Sequence, residues 1–283
     1  MTDGSEVLNM RRFWMTICVV LLCMMTGCGN DAAVNENAVE KEEPVWVITE
    51  EVSYDENKEL LSRVVYQYEK DEYNYRVDSY NAFGELIAYT VQEGDARKTI
   101  KSNYMETNRL AVQTVSEFDV DGRLLSKEQK RMEGTAVKQV WNWNDDKTFA
   151  EVISTDEKGN VIEKWTEEYD NENRILREKT EQSETIYTYE DNKTISRSDM
   201  DGSVYYIVRY YDEQGRLIES RDYNDSDGGD YTEEDMVIHS IQKYKEDGHS
   251  LTHEYHIWDE ESGEERTGIV EVTYQPLDEV LAK

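Results

Sequence analysis

A short phrase of the type Tyr-Asp-x-x-Gly-Arg-Leu recurs along this chain and constrains its fold more than any other feature. Its clearest copy is residues 211–218. Related copies occupy residues 54–61, 80–87, 118–125 and 169–176, with a weaker one at 155–162. In such a phrase the Asp carboxylate accepts a backbone N–H two residues on, and the Gly adopts the left-handed conformation that closes a bulged hairpin. Asn108 and Asn173 take the Gly position in two turns, where Asn is the next-best residue, and Lys58 is an exception.

The segments between these turns alternate as β-strands do. Val64, Tyr66 and Tyr68 fall on one face of such a strand, and Val65 and Gln67 fall on the other. Turns recur about every 12–14 residues when weaker ones are included, which is the spacing of an all-β meander. The weaker turns are predicted at Glu93-Gly94, Asn108 and Glu133-Gly134.

Proline placement agrees with this pattern. The only two prolines, Pro44 and Pro276, lie at the ends of the repeated region, so none interrupts ladder pairing between them. About sixteen strands spaced ~4.8 Å apart would span ~75 Å in a flat sheet, whereas open sheets seldom exceed ~10 strands without curling or splitting. We therefore predict an all-β fold, an antiparallel meander of repeated hairpins that forms a twisted, curled or rolled sheet.

The repeated phrase resembles the YD repeat of RHS-type and insecticidal-toxin shells, over roughly residues 54–220. That resemblance implies a long antiparallel sheet that coils, sometimes into a hollow enclosure. This chain has far fewer repeats and shows neither the self-cleaving core region nor a toxin tail of that family, so encapsulation does not carry over. The alternative is convergence: any protein rich in hairpins can acquire most of this phrase, because the turn itself requires those residue types.

The N-terminal segment has the pattern of an export signal. Arg11 and Arg12 precede an apolar stretch, residues 13–25, which at about 13 residues is shorter than the ~20 that a spanning helix needs. Met25-Thr26-Gly27-Cys28 resembles the lipobox of bacterial lipoproteins, with Met25 where Leu is usual. The resemblance implies lipidation of Cys28. An ordinary leader or an uncleaved signal anchor is the alternative, and Met10 is an alternative start.

This interpretation predicts a lipid-anchored protein on the extracytoplasmic face of a cell membrane, in the cell envelope. The predicted divisions are a signal peptide at residues 1–27, a disordered tether at 28–44, a YD-like β-repeat domain at 45–275 and a C-terminal tail at 276–283. Cys18 and Cys23 fall in the leader, so Cys28 would be the only cysteine of the mature chain.

Composition limits the partners. The formal net charge of −32 repels nucleic acid, and it favours cationic partners or divalent ions within a screening length of ~8–10 Å. The 20 Tyr and 6 Trp argue against a disordered chain. These aromatic residues are consistent with a surface that binds carbohydrate or peptide. They are equally consistent with a sheet that has one face exposed to water and no ligand.

Two segments have the composition of metal sites. Residues 224–230 resemble a calcium loop, with Asp225, Asp227 and Asp230 as candidate ligands, although no register fits the calcium pattern fully. A solvated acidic loop is favoured over a calcium site, and we predict no cofactor. His249 and His253 would share a face of a strand while His256 points away, and incidental surface histidines are favoured over a transition-metal site.

No phosphate-binding glycine loop, nucleophile elbow or zinc-protease helix occurs in the sequence. We therefore expect a non-catalytic binding or interaction scaffold, not an enzyme, with an unknown protein or glycan as its partner. The alternative is a carrier or chaperone that holds an apolar ligand in the curved sheet. A hollow lined by Val, Ile, Leu and Trp would favour the carrier, and a tightly filled interior would favour the scaffold.

Overall fold

The structure is a computed structural model and describes residues 44–200, 203–225, 231–259 and 264–282. The predicted signal peptide, Cys28 and residues 29–43 of the predicted tether lie outside these ranges. Eighteen β-strands account for most of the described chain. They are β1 Trp46–Asp55, β2 Leu60–Tyr68, β3 Tyr75–Asn81, β4 Leu86–Asp95, β5 Lys98–Met105, β6 Leu110–Phe118, β7 Leu124–Arg131, β8 Ala136–Trp143, β9 Phe149–Asp156, β10 Val161–Tyr169, β11 Ile175–Lys179, β12 Ser183–Glu190, β13 Lys193–Met200, β14 Ser203–Tyr211, β15 Leu217–Asp225, β16 Met236–Tyr244, β17 Leu251–Asp259 and β18 Glu264–Pro276.

Each strand pairs antiparallel with the strands before and after it, and β18 pairs antiparallel with β1 over the whole of β1, from Trp46 to Asp55. The sheet is therefore closed. The predicted all-β antiparallel meander of hairpins is confirmed, and the predicted curled or rolled sheet is an 18-stranded barrel. Closure pairs the two outermost strands of the meander, which would otherwise be free edges.

The turn chemistry read from the sequence is confirmed at the clearest copy of the phrase. Asp212 Oδ1 accepts the backbone N–H of Gln214 at 3.0 Å and of Arg216 at 2.9 Å, and Gly215 has a φ of 74°. The ladder between β14 and β15 shifts register at Tyr210/Tyr211, which is the expected bulge. In four other turns a residue other than Gly takes the left-handed position, with φ of 63° at Lys58, 58° at Asn108, 60° at Lys147 and 62° at Asn173.

One predicted turn is wrong. Gly94 lies inside β4, and the chain turns after Asp95, whose Oδ1 accepts the N–H of Arg97 at 2.7 Å. Gly94 has a different role, because a Cβ built on it would lie 2.0 Å from the carbonyl oxygen of Lys98. Its glycine permits a close approach of two strands rather than a turn.

Strand register sorts the side chains onto two faces, because directly paired residues of antiparallel strands point to the same side. Burial is the largest cause of the shifted pKa values on one face: it raises the pKa of Glu51, Tyr66 and Asp222 and lowers the pKa of Lys101 and His253. We call this the inner face. The predicted alternation is confirmed there, since Val64, Tyr66 and Tyr68 share it.

The outer face carries ion pairs. Lys98 Nζ lies 2.9 Å from Glu117 Oε1, and Lys243 Nζ lies 2.8 Å from Glu254 Oε1. The pKa of Glu117 is lowered chiefly by its hydrogen bond to Lys98 rather than by burial. One apolar cluster also lies on this face, where residues of β14 and β15 are covered by Tyr231 and Met236. Its buried members are Val204, Tyr206, Val208 and Tyr223.

The C-terminus packs onto the start of the sheet. Helix α1, Leu277–Leu281, follows β18 directly, so the predicted tail contains a short helix. The N–H of Leu277 donates to the carbonyl of Val45 at 2.7 Å, and the side chain of Leu277 is buried. Across the described ranges, no helix is both long and apolar enough to cross a membrane.

Candidate binding site

The most developed site on the inner face is a cluster of four aromatic side chains from β8 and β10. It comprises Trp141, Trp143, Trp165 and Tyr169, and we call it the aromatic corner. Trp141 and Trp165 both pair with Val152 of β9, from opposite sides. Val152 and its neighbour on the same face, Ala150, are fully buried. Small side chains on the middle strand therefore leave room for large rings on both flanking strands.

A buried carboxylate organises these rings. Glu167 is 5% exposed. Its Oε2 accepts the Trp141 Nε1–H at 2.8 Å and the Tyr169 O–H at 2.5 Å, and its Oε1 accepts the Trp165 Nε1–H at 2.8 Å. Hydrogen bonds to an ionised acceptor are about twice as strong as neutral ones. Glu167 therefore fixes the orientation of three rings at once.

The same carboxylate affects Tyr169. Burial, and then the hydrogen bond to Glu167, raise the pKa of the Tyr169 phenol far above its ordinary value. The phenol stays protonated, so it remains a donor to Glu167 at any physiological pH. The ring of Tyr169 also lies against Trp143, with centroids 4.8 Å apart and planes tilted by 45°.

A cavity of about 250 Å³ lies at the aromatic corner, next to the turns at one rim of the barrel. The turns contribute Gly122, Arg123 and Asn173 to its lining, and Leu124 at the start of β7 lines it beside Trp141, Trp143, Glu167 and Tyr169. Arg123 Nε donates to Asn173 Oδ1 at 3.1 Å, so two copies of the turn phrase meet at the mouth. The Trp143 Nε1–H donates to the Leu124 carbonyl at 3.0 Å, which ties the ring to the rim. The result is a small pocket with aromatic walls and a polar edge.

A second hollow, of about 370 Å³, lies on the outer face. His239 and His256 are directly paired across β16 and β17, with ring centroids 6.0 Å apart. His239 Nε2 lies 2.8 Å from Glu219 Oε1, and His256 Nδ1 lies 3.1 Å from Glu265 Oε1. Each imidazole is thus already engaged by a carboxylate. Within the described residues, no three His, Cys, Asp or Glu side chains are grouped to hold a metal ion.

The structure separates the histidines that the sequence groups together. His256 does point away from His253, as predicted. His249 lies before β17 begins and stacks on Trp46 with ring centroids 4.0 Å apart, so it shares no strand face with His253. His253 lies on the inner face, and its buried Nε2 has no hydrogen-bond partner.

The calcium candidates are not described. Asp227 and Asp230 lie outside the described residues, and so does the side chain of Asp225, the last residue of β15. The solvated acidic loop stays the prediction, and a calcium site stays the alternative. Its test is a saturable rise in melting temperature with calcium that disappears when Asp225 and Asp227 are changed to Asn.

Sequence reasoning missed the aromatic corner. Trp141 and Trp143 are two residues apart in a strand, which predicts a shared face, and that signal was available. Glu167 is one of 63 acidic residues, and although Trp165 and Tyr169 share its face of β10, its third partner, Trp141, comes from β8.

No family model matches this chain, and no curated protein matches it. Several solved structures do match. One is a crystal structure of a porin-like protein from Bacteroides uniformis ATCC 8492, with 12% sequence identity and a TM-score of 0.38, over 81% of this chain and 96% of that one. A likeness at this level carries no argument about activity, and the fold described above rests on strand pairing alone.

Proposed function

We propose that this protein is a lipid-anchored, extracytoplasmic binding protein that holds a saccharide at the aromatic corner without transforming it. The observation that carries the proposal is the cavity walled by Trp141, Trp143 and Tyr169 and oriented by Glu167. A sugar ring has an apolar C–H face and a polar rim. Indole and phenol faces match the first, while Arg123 and Asn173 at the mouth match the second.

Binding fits the carboxylates better than catalysis does. Glycosidases use two carboxyl groups on either side of the bond that they cleave, roughly 5–9.5 Å apart. Glu167 already accepts three hydrogen bonds. Glu178, its direct partner in β11, accepts the Tyr187 O–H at 2.6 Å and is not among the residues that line the cavity. Glu167 therefore serves to position rings, and we expect no hydrolysis of a bound saccharide.

The alternative, a carrier for an apolar ligand, fits the inner face less well. That function needs an interior lined by aliphatic side chains. The inner face of β4 to β6 instead carries alternating polar residues, including Thr90, Gln92, Asn103 and Thr114. A barrel of eighteen strands encloses more space than its own side chains fill, and a polar wall of this kind suits water and polar ligands.

The location follows from the N-terminal pattern. Lipidation of Cys28 would hold the protein on the membrane, and a tether of about 16 residues reaches roughly 20–25 Å as a flexible chain. Kinship with YD repeats is part of this proposal and rests on the repeated phrase. Intact-mass analysis of the membrane fraction tests the anchor: we expect a diacylglyceryl-modified Cys28 at the mature start, and Cys28→Ser should leave uncleaved precursor or released protein. An unmodified Cys28 would remove the basis for the location.

The binding site is tested with an array of neutral and acidic oligosaccharides, followed by calorimetry on the hits. Trp143→Ala should weaken binding by roughly tenfold or more, because it removes one wall of the cavity. Trp258→Ala is the matched control, since Trp258 lies on the outer face and is 50% exposed. Equal losses in the two variants, or no saccharide hit at all, would contradict the proposal.

A further inference from the structure

The turn phrase holds its own arginine against an aromatic ring at the rim of the barrel. In the turn between β10 and β11, Arg174 Nε donates to Asp170 Oδ2 at 2.7 Å, and Arg174 Cζ lies 4.5 Å from the centroid of the Tyr189 ring. The Tyr189 O–H donates to the carbonyl of Ile175, the residue after the arginine, at 2.8 Å. The guanidinium is therefore in contact with a carboxylate and an aromatic face, and each of these groups stabilises a cation.

A second turn repeats this arrangement residue by residue. Between β14 and β15, Arg216 Nε donates to Asp212 Oδ2 at 2.8 Å, and Arg216 Cζ lies 4.4 Å from the centroid of the Tyr244 ring. The Tyr244 O–H donates to the carbonyl of Leu217, again the residue after the arginine, at 3.1 Å. The bond to that carbonyl thus identifies the aromatic side chain that accompanies each turn.

The turn between β6 and β7 keeps the ring, but its arginine makes different contacts. The Trp143 Nε1–H donates to the carbonyl of Leu124, the residue after Arg123, so Trp143 takes the place of the tyrosine. Arg123 Nε donates to Asn173 Oδ1 at 3.1 Å instead of to an aspartate of its own turn. Within the described residues, neither Arg123 nor another arginine or lysine lies over the ring of Trp143. This copy of the phrase therefore has the aromatic face without the cation.

The cavity of the aromatic corner lies against this uncovered ring, and the charges in its lining favour a cation. Glu167 lines the cavity and is 5% exposed, yet its three hydrogen-bond donors are all neutral. A carboxylate has about four acceptor sites, so one is left for a ligand. Arg123 is the one basic residue of the lining, and its Nη1 lies 2.7 Å from Asp121 and 3.7 Å from Asp119. Its charge is therefore already matched, whereas that of Glu167 is not.

Two further charges lie beyond the lining on the same inner face. Glu178 pairs directly with Glu167 across β10 and β11. Lys127 pairs with Gln139, two residues before Trp141 in β8. These two charges have opposite signs, so the charge that the cavity presents to a ligand is set mainly by Glu167.

We propose that the aromatic corner binds a cationic group where the other two turns hold their own arginine, and that its ligand is an amino saccharide. The protonated amine lies against the ring of Trp143 with Glu167 as its counter-charge, and the sugar rings pack on the other aromatic faces. This inference rests on the proposed function, since it names the class of saccharide. The net charge of −32 acts in the same direction, because a negative field attracts cations.

The experiment compares two forms of one sugar chain by calorimetry on the full-length protein. An oligomer of glucosamine carries an amine on every ring, and its N-acetylated form has the same rings without the charge. In mildly acidic buffer, where the amine is protonated, we expect the amine form to bind roughly tenfold or more tightly, because only a cation gains from both the aromatic face and the carboxylate. Equal binding, or tighter binding of the acetylated form, would overturn the cationic subsite and leave the saccharide site standing. Failure of both forms to bind would overturn the proposed function and this inference together.

Two variants locate the effect. Glu167→Gln removes the counter-charge, and Trp143→Leu removes the aromatic face while it keeps an apolar wall, so each should remove most of the preference for the amine form. Glu168→Gln is the matched control, because Glu168 is the next residue of β10 and faces outward, 3.7 Å from Arg177. It should leave the preference unchanged.

The variants also separate a specific site from general attraction of a cation to an acidic surface. General attraction would leave the preference unchanged in all three variants and would overturn the proposal. Thermal melts show whether Glu167→Gln is folded, and Trp143→Leu decides alone if it is not. An unchanged preference in a folded variant of either residue, or its loss in the Glu168 control, would overturn the cationic subsite.

Discussion

Glu51 and Glu117 are both strand glutamates with a close hydrogen-bond donor, yet their environments act in opposite directions. On the inner face, burial raises the pKa of Glu51 even though the Tyr66 O–H donates to it at 2.6 Å. On the outer face, the hydrogen bond from Lys98 lowers the pKa of Glu117. Closure of the sheet explains the difference. The concave side brings side chains of several strands together, while the Lys98–Glu117 pair on the convex side is about half exposed to water.

The comparison between Glu51 and Glu117 indicates that the specific interactions of this barrel lie on its inner face. Exposed ion pairs are worth little, since water and salt screen them. Inner groups are desolvated, so each hydrogen bond counts for more and each unpaired polar group costs more. Stability and ligand recognition should therefore both depend on the inner face.

Of the changes considered, alkaline pH should lower the stability of the folded barrel the most. Burial raises the pKa of eight inner tyrosines above the ordinary value of 10.0: Tyr66, Tyr68, Tyr75, Tyr169, Tyr187, Tyr189, Tyr244 and Tyr255. The folded barrel holds these protons at a pH where the unfolded chain releases them. Their contribution is therefore complete below pH 10 and is lost as the pH rises above it. Tyrosinate absorbance and circular dichroism should change together. If these tyrosines ionise near pH 10 while the β-sheet signal stays intact, the proposed difference between the inner and outer faces is wrong.

Removal of the buried carboxylate should have the next largest effect. Glu167→Ala leaves three donors of the aromatic corner without an acceptor, which should lower the free energy of unfolding by about 3 kcal/mol. Glu128→Ala is the control, because Glu128 pairs on the outer face with Lys130 at 2.9 Å, and it should cost under about 0.5 kcal/mol. Chemical denaturation measures both. Similar losses would mean that the two faces do not differ energetically.

A substitution in a turn at the rim of the barrel should lower stability by a different mechanism, namely backbone strain. Nothing lies within 4 Å of a Cβ built on Gly215, so Gly215→Val meets no clash. It forces a branched residue to a φ of 74°, which should cost roughly 1–2 kcal/mol. Gln214→Val, one position earlier in the same turn, is the control and should be nearly neutral in thermal melts. An unchanged melting temperature for the Gly215 variant would contradict the proposed role of the turn.

An outer ion pair should give the smallest effect. Lys243 Nζ lies 2.8 Å from both carboxylate oxygens of Glu254, and its own side chain is 59% exposed. Lys243→Gln should lower the free energy of unfolding by no more than about 0.5 kcal/mol, and the loss should vanish in high salt. A salt-independent loss above about 1 kcal/mol would show that the outer face also depends on specific pairs.

The sequence was sufficient for the turns of the repeated phrase and for the alternation, because both are local, although it misplaced the turn predicted at Gly94. Asp212 and Gly215 fix their hairpin through atoms four residues apart or fewer. Closure was not predictable, since it pairs Tyr54 with Ile269 at the far end of the chain. The aromatic corner was not predicted for the same reason, since it brings together side chains that are distant in the sequence. Alternation along β10 places Glu167 on the face of Trp165 and Tyr169, but its third partner, Trp141, comes from β8, and only the paired sheet brings that ring within 2.8 Å of the carboxylate.

Reagent access at adjacent residues tests most directly the claim that the sheet separates an inside from an outside. Ile186 lies on the outer face of β12 and is 40% exposed, while Tyr187 lies on the inner face. A chain beginning after Cys28 has no cysteine of its own, so Ile186→Cys and Tyr187→Cys each introduce one thiol. We predict that a small maleimide labels both variants and that a bulky polyethylene-glycol maleimide labels only the Ile186 variant. Equal labelling of the two by the bulky reagent would contradict a closed barrel.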